Sequence, residues 1–189
     1  MRAFGIFFVA IICCAGVNAP FRYITVQGHS LRSANGVPVE VSAPPGFRVL
    51  KPTSRHATFD EHPYEVSIAA LASRDAVVML HAEKVTDQSA ASNYDKLPAS
   101  MLRGFRLRSQ CASIETADVA GEHDLQWLAE RGWSPVGNLA VEQHLKSSAD
   151  HNREIVVSFI TKVKSCADKH SVDYALARLR THVRVTTKT

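Results

Sequence analysis

Apolar residues at every second position, in run after run separated by proline, glycine or short polar links, constrain this chain more than any other feature. That period belongs to strands that bury one face and wet the other. Val37, Val39 and Val41 alternate with Pro38, Glu40 and Ser42 until Pro44-Pro45-Gly46 stops the run, and Phe47, Val49 and Leu50 begin a second strand. Pro38 marks the first as an edge strand, because proline cannot donate to a ladder. Residues 65–72 and 76–85 read as a hairpin across Ser73-Arg74-Asp75. Val66, Ile68 and Ala70 share one face of its first strand; Val78, Leu80 and Ala82 share a face of its second, with Val77 and Met79 opposite. Phe105 and Leu107 then point one way and Arg106 and Arg108 the other, which places Cys111 on the apolar side. Residues 141–145 and 154–164 form a further hairpin joined by 147–153, and 183–187 offer a terminal strand.

Two segments break this period. Residues 122–131 predict a short helix with Leu125, Leu128 and Ala129 inside, Gly132 as its left-handed stop and Trp133 folded back on the last turn. Residues 171–182 predict a longer helix with Ser171 as cap, a stripe of Val172, Leu176, Leu179 and Val183, and Arg178, Arg180 and His182 against its C-terminal dipole. Residues 87–101, rich in Ser, Ala, Asn and Asp, read as a short helix or a surface crossover. Strands joined mostly by hairpins, with helices set between them, predict an α+β class: an antiparallel sheet packed with helices in a single-domain sandwich.

The N-terminus sets the address. Arg2, the apolar run 3–15 and Val17-Asn18-Ala19 have the layout of a secretory signal peptide over residues 1–19. Cys13-Cys14 raises a lipoprotein alternative, but Ile12 precedes Cys13 where lipidation needs a small residue. Residues 20–36 read as a flexible segment and 37–189 as the domain, with no later apolar run of membrane length. About 170 residues remain, enough to bury a core. Two of the four cysteines, Cys111 and Cys166, then survive, and in an oxidising compartment two cysteines pair with each other.

No catalytic signature emerges. There is no G-x-S-x-G, no serine followed three places later by lysine, no G-x-G and no G-K-[ST]. Nine histidines show no H-E-x-x-H and no close Cys/His pairing, so they read as surface residues and no metal is expected. His81 and Glu83 share a strand face, and His123-Asp124 open a helix, but neither pair makes a site. Asp60, Glu61 and Glu65 read as solvated loop acids. A net charge of +4, from 22 basic against 18 acidic residues scattered along the chain, carries no basic block for nucleic acid. Among the aromatic residues, Trp127, Tyr94, Phe59 and Tyr64 are the outward candidates, and Trp127 with Arg106 and Arg108 forms the candidate partner contact.

The strand over 37–47 ended by Pro-Pro-Gly-Phe, the two apolar strands, the intervening helix and the long C-terminal helix resemble the PsbP-like α/β/α sandwich over residues 37–187 in arrangement. That resemblance implies a binding, assembly or adaptor role without catalysis. The expectation is therefore an exported, non-enzymatic factor, periplasmic or secreted, that binds another envelope or secreted protein in an assembly or secretion system and needs no cofactor. An immunity-type inhibitor of a toxin and a hydrolase with an unlisted site are the alternatives.

Overall fold

The computed structural model describes residues 22–187; the predicted signal peptide, residues 1–19, lies outside them. Ten strands and three helices follow in order. They are β1 (Ile24–Gln27), β2 (Ser30–Ser33), β3 (Val39–Ser42), β4 (Arg48–Phe59), β5 (His62–Ala72), β6 (Ala76–Val85), β7 (Arg106–Ile114), α1 (Thr116–Gly121), α2 (His123–Glu130), β8 (Gly137–Ser147), β9 (Arg153–Lys162), α3 (Lys169–His182) and β10 (Arg184–Thr187).

A six-stranded antiparallel sheet, in the order β4-β5-β6-β9-β8-β7, is the middle layer. The β5–β6 and β8–β9 hairpins fall where the alternation places them, and their register sets which residues meet on each face. One face carries Ala69, Leu71, Val78, Leu80, Ala82, Ala140, Ile155, Val157 and Phe159. It is covered by a second sheet, β1-β2-β3-β10, which lies over β4–β6, and by α3, which lies over β8 and β9. The opposite face, with Ile68, Ala70, Val77, Met79, Leu139 and Ile160, is covered by α2 and Trp133. The arrangement is α+β, with a sheet packed on both faces.

The helices correct the sequence reading in detail. α3 is capped by Asp168, whose Oδ1 accepts from the Ser171 amide at 3.1 Å, so the helix starts two residues before Ser171. Its stripe of Val172, Leu176, Leu179 and Val183 is buried as expected. α2 ends as predicted: Gly132 sits at φ 74°, its amide donates to Ala129 and the Trp133 amide to Leu128. The inner stripe of α2 is Leu125, Trp127 and Leu128, while Ala129 is exposed. α1 is absent from the sequence reading, and residues 87–101 form a crossover without a helix.

The segment expected to be flexible is built into the core. β1 and β2 pair with one another and β2 pairs with β3, with Ile24 and Leu31 among the most buried side chains of the molecule. Leu31→Ala is therefore expected to reduce stability by about 3 kcal/mol, the usual cost of a cavity at a sealed leucine. Urea denaturation checks this, and a change below about 0.5 kcal/mol, the range of ordinary surface substitutions, would mean that the hairpin does not anchor the fold.

Candidate functional site

The two cysteines meet: Cys111 on β7 and Cys166 in the loop after β9 form a disulfide with their Cα atoms 5.5 Å apart. Such bonds belong to oxidising compartments. Among the described residues no helix is long and apolar enough to cross a membrane.

The predicted partner residues separate. Arg106 and Arg108 are on β7, an outer strand of the large sheet. Arg106 donates to the Leu97 carbonyl at 3.4 Å and lies 3.5 Å from Asp95, and Arg108 is exposed. Trp127 is not a surface residue. It is only 6 % exposed, packed into the core under α2, and the Arg131 guanidinium lies 4.4 Å from its ring centroid. The helix turns this side chain inward because the stripe it shares with Leu125 and Leu128 is wide enough to include it. Tyr64 is buried as well, whereas Tyr174 and Met101, with Val26 and Val136 to a lesser extent, stand in solvent.

The edge of β7 has a definite hydrogen-bonding state. Antiparallel pairing alternates, so every second residue directs its backbone groups away from the neighbouring strand. The Leu107 amide donates outward to the Pro98 carbonyl at 2.8 Å, which places the outward set at Leu107, Ser109, Cys111 and Ser113. Pro98 covers the first of these. The other outer strand, β4, is interrupted by a register shift between Leu50 and Thr53 at Pro52, a common protection for an edge. β7 pairs with β8 over all nine residues without a shift.

Two of the nine histidines contradict the surface reading, and each belongs to a buried polar chain. On the α2 face, Arg55 lies 3.5 Å from Asp124, Asp124 lies 3.5 Å from His81 Nε2, and His81 Nδ1 lies 3.2 Å from Glu83. Of the two pairs that the sequence kept apart, His81 with Glu83 and His123 with Asp124, the fold brings Asp124 to His81 and leaves His123 exposed. Glu83 stands directly opposite Glu154 across the β6–β9 ladder, and Tyr94 donates to Glu154 Oε2 at 2.5 Å. Burial, and then the facing Glu83, push the Glu154 carboxyl up to about 8. For His81, burial pulls its pKa down, but Asp124 and Glu83 together outweigh it and the net shift is upward.

The second chain lies on the α3 face of β8. Glu142 and His144, two residues apart, point the same way into the core. Arg180 on α3 donates to Glu142 Oε2, Glu142 Oε1 lies 2.8 Å from His144 Nε2, and His144 Nδ1 lies 2.6 Å from Ser100 Oγ. The imidazole is fully covered and meets the Phe159 ring edge-on at 5.3 Å. Sequence reasoning missed this chain. Its only local signal is the Glu-x-His spacing on a strand, and Ser100 comes from a crossover that no periodicity describes.

Among the described residues, clefts at the surface include two that border the polar chains. One, of about 280 Å³, is lined by Tyr94, Ser100, Phe105, Arg106, Lys146 and His151 among others; the second, of about 180 Å³, lies between β4 and α2. Among the described residues no group of three or more His, Cys, Asp or Glu is arranged to hold a metal ion.

Comparison with family models, with curated proteins and with solved structures finds no match to this chain.

Proposed function

We propose that the protein is an exported, periplasmic or secreted, binding factor that docks another envelope protein as part of an assembly or secretion system. The observation that carries this reading is the open edge of β7. Past Leu107 its outward backbone groups at Ser109, Cys111 and Ser113 lie on an unbulged outer strand, and Arg108, Ser109 and Gln110 are exposed side by side. Such an edge accepts an extended segment by strand addition, with backbone hydrogen bonds giving affinity and side chains giving selectivity. Arg106 and Arg108, with Arg103 in the preceding turn, favour a segment carrying acidic side chains. The PsbP-like resemblance implies the same class of role.

The test is a proline at Ser109. It removes one outward donor and leaves the ladder to β8 in place, so the fold tolerates it as edge strands do. Binding of the partner captured by crosslinking from the native envelope is expected to weaken about tenfold, the worth of one backbone hydrogen bond in a desolvated interface. Arg108→Glu is expected to weaken it further, with a loss of salt dependence. Unchanged affinity in both variants, with the fold intact by circular dichroism, would remove β7 as the docking edge.

A further inference from the structure

The first buried chain meets the 180 Å³ cleft at Arg55 and Asp124, and the second meets the 280 Å³ cleft at a serine hydroxyl. Ser100 is half-buried on the wall of the 280 Å³ cleft, and its hydroxyl is the point where the Arg180–Glu142–His144 chain meets that cleft. The Leu102 amide donates to Ser100 Oγ at 2.9 Å, and the same oxygen lies 2.6 Å from His144 Nδ1, which accepts the hydroxyl proton in the tautomer that carries its own proton on Nε2. In that tautomer Nε2 lies 2.8 Å from Glu142 Oε1, close enough for the carboxylate to act on the ring although the contact is outside hydrogen-bond geometry. Arg180 holds the other oxygen of Glu142 and fixes the carboxylate in place. A serine hydroxyl against an imidazole that has a carboxylate on its far side is the spatial arrangement of an activated nucleophile.

We propose that Ser100 is a nucleophile for hydrolysis of small carboxylic esters, with His144 as its base and Glu142 as the residue that positions the imidazole. Ser100 Oγ attacks the ester carbonyl carbon, its proton passes to His144 Nδ1, and the carbonyl π electrons move onto oxygen. Collapse of that intermediate breaks the bond to the alcohol oxygen, which takes the proton from Nδ1. Water then attacks acyl-Ser100 by the same route, releasing a carboxylic acid and restoring the hydroxyl. Lys146 and Arg106 line the same cleft and supply positive potential for the developing oxyanion. The cleft volume limits the acyl group to a short chain, and the complete burial of His144 keeps bulk water from its ring.

The experiment uses the processed chain with its disulfide intact, a fluorophosphonate probe and p-nitrophenyl acetate and butyrate. Intact-mass and peptide analysis are expected to show one phosphonate per chain on Ser100, and p-nitrophenolate release is expected to begin with a burst of about one equivalent, the mark of an acyl intermediate. Ser100→Ala is expected to abolish the adduct, and both it and His144→Gln to lower turnover at least about 100-fold. Glu142→Gln is expected to keep the adduct on Ser100 while slowing its formation. The unmutated protein supplies the deciding result without any variant having to fold. If the folded wild type gives no adduct, or the adduct maps to another residue, the assignment is wrong.

Discussion

Replacing both Cys111 and Cys166 with serine is expected to lower the unfolding free energy by about 4 kcal/mol, the chain-entropy cost of freeing a loop of this length. The two residues are separated by 55 positions, and that loop contains α1, α2, β8 and β9. β7 is the outermost strand, held along one side by β8 alone, and the bond ties its middle to the segment leading into α3. Loss of the bond therefore acts on the open edge first. Denaturant midpoints of the double variant and of the reduced wild type are expected to fall together, and hydrogen exchange of β7 is expected to rise before that of β6 or β9. An unchanged midpoint would show that the loop is already as restricted in the unfolded chain as the bond makes it.

The second large effect is in the pH dependence. Glu154 has a folded pKa of about 8, above its unfolded value, so the folded protein retains a proton there that the unfolded chain releases. A group shifted upward contributes its full stability below its unfolded pKa and loses it as pH rises through the folded one. For Glu154 that window runs from about 4.3, the ordinary glutamate value, to about 8. His81 is shifted in the same direction and loses its contribution from about 6.5 upward. The molecule is therefore expected to be more stable at pH 5 than at pH 8.5, by on the order of 2 kcal/mol or more. Glu154→Gln keeps the shape of the protonated acid, with a carbonyl for Tyr94 and an N–H group toward Glu83. It is expected to recover most of that difference at pH 8.5 and to change little at pH 5, as read by urea denaturation at the two pH values. The lowered carboxyls of Asp87, Asp150 and Asp168 titrate below this window and do not offset it. A stability that rises from pH 5 to 8.5 would overturn the reading.

The strands of the large sheet were legible in the sequence because each buries a full side: alternation over 65–72, 76–85 and 154–164 is long enough to define both period and parity. β1 and β2 were not, since a four-residue strand with one inward residue, Ile24, or two, Leu31 and Ser33, shows no period. The cap of α3 was displaced because Asp168 and Ser171 are both good caps, and Asp168 accepts from both the Ser171 amide and its hydroxyl. The polar chains were illegible for a different reason. A glutamate on β6 acquires its meaning from the residue across the ladder, Glu154, and parity says which face a side chain takes but not what waits there. His144 looked like a surface histidine until Ala140 and Glu142 on the same face proved to lie against α3. Trp127 was misplaced because the buried stripe of α2 is turned toward it, taking in Leu125, Trp127 and Leu128 where the periodicity suggested Leu125, Leu128 and Ala129.

The smaller sheet joins residues far apart in the chain: β3, at 39–42, is paired on one side by the early hairpin and on the other by β10, at 184–187. Synthesis runs from the N-terminus, so β3 is made long before β10. Through that interval Val39 and Val41 lack one neighbour, and the apolar cover over β5 and β6 is unfinished. The smaller sheet is thus closed by a zipping step between segments far apart in the chain, and an intermediate in which β10 is unpaired carries an open strand edge.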